Sequence, residues 1–213
     1  MKPILFNTEM IRAILEGRKT VTRRVVKFEK DKNPNWTGYI KDGLTLYNGK
    51  NEPCSLPTPY QVNDVLYVRE TWHTYIKRVG EGEQCHLEKF YGYKASVANS
   101  EDANEKWKPS IHMPKAAARI FLRVKSVKVE RLQDMTKEDM LKEGIVDHCK
   151  DCKATFGCDL CINEGVTVED EFWSLWTRTI KKDQLKTYGW YANPYVWVIE
   201  FERISKEEAY SNE

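Results

Sequence analysis

The residues with the clearest chemistry are four cysteines, Cys149, Cys152, Cys158 and Cys161, in "CKDCKATFGCDLC". Two C-x-x-C pairs can each give two thiolates to one tetrahedral zinc ion. Only five residues join the pairs, and Gly157 eases the tight return. An iron–sulfur cluster is the alternative, and a disulfide or unliganded thiols are the plain reading. Four cysteines leave no open position for water, so a Zn2+ ion here is structural and staples a segment too short to bury its own core. His148 stands beside the first pair, as a surface residue or as a replacement ligand. Cys54 and Cys85 are isolated and read as ordinary thiols.

A second stretch, "EGRKTVTRR", Glu16 to Arg24, packs four basic residues and two threonines between two apolar runs. It is either a solvated basic bend or a place where a lysine and a threonine do chemistry. The planar fork of Arg24 suits a phosphate or carboxylate ligand, or equally a structural acid such as Asp64. Glu70 and Trp72 leave a strand at an expected rim, where a carboxylate reads a base edge and an indole stacks on it. Trp72 reads more readily as a core residue. Ser110 and His112 lie between prolines and are candidates to line a pocket. Tyr188, Trp190 and Tyr191 read either as a stacking platform or as packing against the last strand. Glu143 by itself reads as a solvated helix residue.

The elements that must position these groups follow from spacing. "NTEMIRAILEG" is a short helix capped by Asn7 or Thr8, with Met10, Ile11, Ile14 and Leu15 as its stripe and Gly17 as its stop. "TVTRRVV", "DVLYVRETW", "FYGYKASV", Ala118 to Leu132 and "YVWVIEFERI" read as strands. Helices are expected after Thr136, closing near Gly144, and after Thr167. Residues 29–60 read as a long loop holding a small hairpin, residues 76–90 as loop, and 99–118 as irregular, with Pro109 and Pro114 as breakers. Strands outnumber the short helices. That favours a small mixed α+β barrel with helices at its ends over a doubly wound sheet. No glycine-rich phosphate loop follows a strand.

The bulk numbers narrow the class. A chain of 213 residues suits one well-cored domain with insertions. Net charge is only +2, so nucleic-acid binding does not follow from total charge. The distribution is uneven. Residues 1–30 carry eight Lys/Arg against three Asp/Glu, whereas residues 134–171 carry four against eleven. The N-terminal end is therefore the one suited to face an anion. No apolar run approaches membrane-spanning length and the N-terminus lacks a secretory apolar core, so the expected compartment is the cytoplasm, with no membrane partner.

"ILEGRKTVTRR" resembles the signature of ASCH domains, a branch of the PUA-like superfamily, in which Gly-x-Lys is followed by an arginine. Gly17, Lys19 and Arg24 match it. "NDVLYVRETW", "VKVERLQDMTKEDMLKEGI" and "VWVIEFERI" look like the later blocks of the same family, in order. With "WKPSIHMPKAAARI" and "YANPYVWVIEFE", the set is most similar to ASCH-like proteins of phages and prophages. The resemblance implies a single PUA-like (ASCH) domain over residues 1–213, a β-barrel with short packed helices. Loop insertions fall near 27–60 and 76–106, and a small four-cysteine zinc-knuckle insertion at 147–165. It implies a cleft that binds a nucleoside or single-stranded nucleic acid, RNA or modified DNA. One bacterial ASCH group removes the acetyl group from 4-acetylcytidine, and its lysine, threonine and glutamate match Lys19, Thr22 and Glu143. The implied activity is an amidohydrolase acting on a modified, acylated cytidine-type base. Arg23 stands where that group has an apolar residue. Beside Lys19 it supplies positive charge, and with Arg24, Glu70, Trp72, Ser110 and His112 it completes the expected substrate-binding set. The rival readings are a non-catalytic RNA or modified-DNA module and a phage-encoded protein that engages a host protein partner.

Overall fold

A computed structural model describes residues 1–27, 39–40, 46–47, 52–54, 58–97, 106–147 and 167–211. Its elements in chain order begin with β1 (Lys2–Leu5), α1 (Thr8–Leu15), β2 (Val21–Val25), β3 (Tyr39–Ile40), β4 (Leu46–Tyr47) and β5 (Pro53–Cys54). There follow β6 (Val65–Arg69), β7 (Trp72–Val79), β8 (His86–Tyr93), β9 (Phe121–Arg131) and α2 (Lys137–Lys142). The chain ends with α3 (Val168–Thr179), α4 (Leu185–Tyr188), β10 (Tyr195–Ile204) and α5 (Lys206–Tyr210). The chain is α+β, with a mixed sheet and short helices, and it divides into two compact units. No closed barrel is found among the described residues.

The first unit comprises Met1–Glu16, Asp64–Arg123 and Arg203–Glu213. Here β1 pairs parallel with β6, and β6 pairs antiparallel with the start of β9, Leu66 opposite Leu122. Helix α1 is capped by the Asn7 side chain, which accepts from the Met10 amide at 2.8 Å. It buries Met10, Ile11 and Ile14 of the expected stripe together with Ala13, while Leu15 is only half-buried. A core cluster joins Trp72, Met113, Phe121, Ile204 and Ala209. Each fully buried large side chain of this kind contributes roughly 1.5–3 kcal/mol.

Residues 76–90 depart from the loop expected there. Strands β7 and β8 form an antiparallel ribbon from Trp72↔Tyr93 at its root to Val79↔His86 at its tip. Its outer half is exposed on both faces. No core therefore imposes the alternation that marks a half-buried strand. At the root the His73 ring covers Gly92, where a Cβ would lie 1.9 Å from its Nε2. Only glycine fits that crossing.

The second unit comprises Gly17–Asn63 and Val124–Glu202. Strand β2 pairs antiparallel with β10, with Arg23 opposite Val198 and Thr22 opposite Ile199. Helix α3 starts at a capping box made by Thr167 and Asp170. It lays Val168, Phe172 and Trp176 against Val21, Leu132, Val196 and Val198. Helix α2 starts at a second capping box, Thr136 with Asp139, and adds Met140 to the same cluster. In the stretch read as a long loop, β3, β4 and β5 form a small three-stranded antiparallel sheet. Trp190 packs against this core beside Phe172, whereas Tyr191 is 85% exposed rather than packed on the last strand. Among the described residues, no helix is long and apolar enough to cross a membrane.

Candidate functional site

The basic stretch ends one helix and caps another. Gly17, at φ 76°, takes the left-handed conformation that lets the chain leave α1. Residues 18–20 then run as irregular chain before β2 begins at Val21. Gly144, at φ 96°, ends α2 in the same way and leaves its last carbonyls without intrahelical donors. Three consecutive residues of the stretch supply those donors. The Thr20 amide donates to Lys142 O at 2.9 Å, Lys19 Nζ to Glu143 O at 2.9 Å, and Arg18 Nη1 to Gly144 O at 2.5 Å. Cations at a helix C-terminus also meet the negative end of its dipole.

Around this junction lies a buried charge network. Lys19, Arg23 and Glu143 are 2%, 3% and 4% exposed, burial that charged side chains tolerate only in pairs. Lys19 Nζ reaches Glu143 Oε2 at 2.5 Å and Val21 O at 2.8 Å, so with Glu143 O it has three acceptors. Arg23 Nη1 donates to Glu143 Oε1 at 3.3 Å, so the two carboxylate oxygens are shared between two cations. The other edge of Arg23 is held by Glu130 Oε1, at 2.9 Å from Nε and 2.7 Å from Nη2. Asp139 Oδ1 stands 3.9 Å from Arg23 Nη2. The same Asp139 carboxylate closes the α2 capping box, which ties the helix start to the network.

Burial pushes the Lys19 amine below its ordinary value. Glu143 opposes that shift, and Arg24 and then Arg23 reinforce it. Burial likewise lowers the Arg24 guanidinium, opposed by Glu143 and Tyr60. Alternation along β2 puts Arg23 with Val21 and Val25 on the face packed against the helices, and Thr22 with Arg24 on the other. Lys19 precedes the strand and is not bound by that alternation. Thr22 is 1% exposed.

The structure thus brings Lys19, Arg23, Arg24 and Glu143 into one electrostatic group, with Thr22 on the same segment. Sequence reasoning missed Glu130 and Asp139. Asp139 was legible as the N3 position of the Thr136 capping box, whereas Glu130 carries no local signal. Beside the C-terminus of α2 a groove of ≈ 320 Å³ is lined by Arg18, Leu141, Lys142, Ile145, Val146 and Asp147. Lys19, Thr22 and Glu143 are not among its described lining residues.

The remaining candidates belong to the first unit. Glu70, expected at a rim, is instead 1% exposed. Arg119 holds it bidentately, Nε to Oε1 at 2.8 Å and Nη2 to Oε2 at 2.9 Å, and stacks on Tyr93 at 4.0 Å. Trp72 is likewise not offered for stacking: it is 6% exposed in the core, with Lys108 Nζ 4.9 Å above its ring. Ser110 and His112 share one 3-10 turn, Ser110 half-buried and His112 exposed. Asp64, weighed as a partner for Arg24, pairs with Lys2 at 2.6 Å. Cys85 is a free, exposed thiol.

Cys149, Cys152, Cys158 and Cys161, with His148, lie outside the described residues. Among the described residues no group of three or more His, Cys, Asp or Glu side chains is placed to hold a metal ion. Comparison of the chain with models of known protein families, with curated proteins and with solved structures finds no match in any of the three.

Proposed function

We propose that this chain is an ASCH-like protein of the PUA-like superfamily, barrel included, that hydrolyses the amide of an acylated, cytidine-type nucleoside or base. The observation that carries the reading is the buried Lys19–Glu143 pair at 2.5 Å, in which burial already favours the neutral amine. Hydrolysis of an amide needs a nucleophile, a group to take its proton and a donor for the leaving amine. Burial, with Arg24 and Arg23, favours the neutral Lys19 amine that acts as the base. Lys19 then takes the proton of the Thr22 hydroxyl as Thr22 Oγ1 bonds to the acyl carbon. The C–N bond breaks, the departing exocyclic amine receives the proton from Lys19, and the acyl group rests on Thr22. Water, deprotonated by Lys19, attacks that ester; the carboxylic acid leaves and Thr22 Oγ1 takes the proton back from Lys19. Arg24, on the strand face of Thr22, is the cation assigned to orient the substrate.

The test is turnover. Incubation with N4-acylated cytidines, followed by chromatography, is expected to release cytidine and the free acid. Binding without release would instead favour the non-catalytic reader. That second reading is favoured by one observation: all three hydrogens of a Lys19 ammonium already have acceptors. Neither release nor binding would remove both and leave the host-protein interaction.

The proposal includes a structural Zn2+ held by Cys149, Cys152, Cys158 and Cys161. Those four thiolates fit a closed tetrahedral site that supplies folding energy and no chemistry. Purified protein is expected to carry one zinc per chain by elemental analysis, and cysteine-to-serine variants to lose it along with thermal stability. Iron in its place, or metal-free native protein, would overturn this assignment.

A further inference from the structure

The β7–β8 ribbon is a feature of the first unit that the proposed chemistry does not use. An isolated two-stranded ribbon is marginally stable in water, so exposed apolar side chains along one call for an explanation. Ile76 and Leu87 are each 69% exposed near its tip. The register sorts the side chains by face. Residues 72, 74, 76 and 78 share a face with 87, 89, 91 and 93. That face carries Arg78 and Lys89, both exposed, and no acidic residue. At its root Lys108 sits over Trp72, adding a further cation. Glu88, the acidic residue of the paired strands, is on the opposite face, directly across from Lys77. Arg78 and Lys89 have no ion-pair partner among the described residues. Glu81 stands at the turn, so an anionic partner would be met by the flank of the ribbon and not by its tip.

We propose that this face of the ribbon docks into a groove of double-stranded DNA. The major groove of B-form DNA is about 12 Å wide and admits a two-stranded ribbon, whereas the deep, narrow major groove of A-form RNA does not. Arg78 and Lys89 meet phosphates on either side, and Ile76 and Leu87 pack on base edges and methyl groups. Charge complementarity selects the partner: the face joins two unpaired cations to exposed aliphatic groups with no acid among them. The ribbon belongs to the first unit, whereas Lys19, Thr22 and Glu143 belong to the second, and its role stands or falls independently of the hydrolase reading.

Fluorescence anisotropy with a labelled duplex of about 20 base pairs, in salt from about 50 to 200 mM, tests it. The intact chain is expected to bind with affinity falling steeply as salt rises. Arg78→Glu with Lys89→Glu should weaken binding at least ~10-fold and reduce the log–log salt slope by roughly 2, one per lost phosphate contact. Arg78→Gln with Lys89→Gln is a milder second variant should charge reversal impair folding. Lys77→Ala with Glu88→Ala, which alters the other face at constant net charge, should bind like the parent. Hydrolysis of a free acylated nucleoside should be unchanged in every ribbon variant, so the two readings fail separately. The docking proposal is overturned by absent duplex binding at low salt, by equal loss in the control pair, or by tighter binding of single-stranded DNA or duplex RNA. It is also overturned if sedimentation shows that this face instead joins two copies of the chain.

Discussion

Replacing Glu143 with glutamine is expected to destabilise the protein by about 3–5 kcal/mol at neutral pH, the cost of breaking a buried ion pair from one side. The carboxylate is 4% exposed and serves two buried cations, Lys19 at 2.5 Å and Arg23 at 3.3 Å. Arg23 retains Glu130, so most of the loss falls on Lys19. The pH dependence has a definite sign. The folded Lys19 amine already lies below its unfolded value, and Glu143 is what holds it up against burial, Arg24 and Arg23. Without that carboxylate it falls further. Between the folded and unfolded values the unfolded chain binds the extra proton, so stability rises with pH across that window. The deficit of Glu143→Gln should therefore be largest near neutrality and shrink toward alkaline pH. Adding Lys19→Met should recover part of it, because both charges are then gone. Urea denaturation midpoints from about pH 6 to 10 measure this. A single variant within about 1 kcal/mol of the parent at pH 7, the ceiling for a surface pair, would show that the pair is solvated and not buried.

What the sequence reveals, and what it hides, follows from burial. The α1, α2 and α3 helices are legible because their caps and apolar stripes lie within one or two turns, as do Asn7, Thr136 and Thr167 with their N3 partners. The strands β2, β6, β9 and β10 are legible because at least one face is packed. Of the β7–β8 ribbon only the inner end, Trp72 and Phe90–Tyr93, is legible, since its outer half faces water on both sides and carries no alternation. Only the glycine under His73 hints at a crossing. The same logic applies to the site. Lys19 and Glu143 stand 124 residues apart, and the resemblance of two blocks to one family paired them. Composition alone would leave both in solvent. The capping of α2 by Arg18, Lys19 and Thr20 was not legible, because it depends on where a helix end meets a bend remote in sequence. Glu70 and Trp72 were legible as one strand end, yet Arg119 and the core that engage them come from residues far along the chain.

Lys19 carries the largest expected effect on activity. Removing a positioned proton carrier costs about 10²–10⁴-fold, so Lys19→Ala should reduce deacylation by at least that factor. The sharper variant is Lys19→Arg. Arginine keeps the charge beside Glu143 and spares it an uncompensated carboxylate, but it does not give up its proton in proteins. It should therefore keep more of the parent's stability than Lys19→Ala while losing as much activity. In the parent, the rate should rise with pH as the Lys19 amine loses its proton, then level off. Burial and Arg24 place that limb below the pH of a free lysine. Arg24→Met removes a positive charge that favours the neutral amine, so the limb should move to higher pH, even where substrate binding also weakens. A purely structural lysine would lower stability in these variants without moving any pH limb. Turnover by Lys19→Arg at the parental rate would end the case for Lys19 as the base, whatever its contribution to the cap of α2.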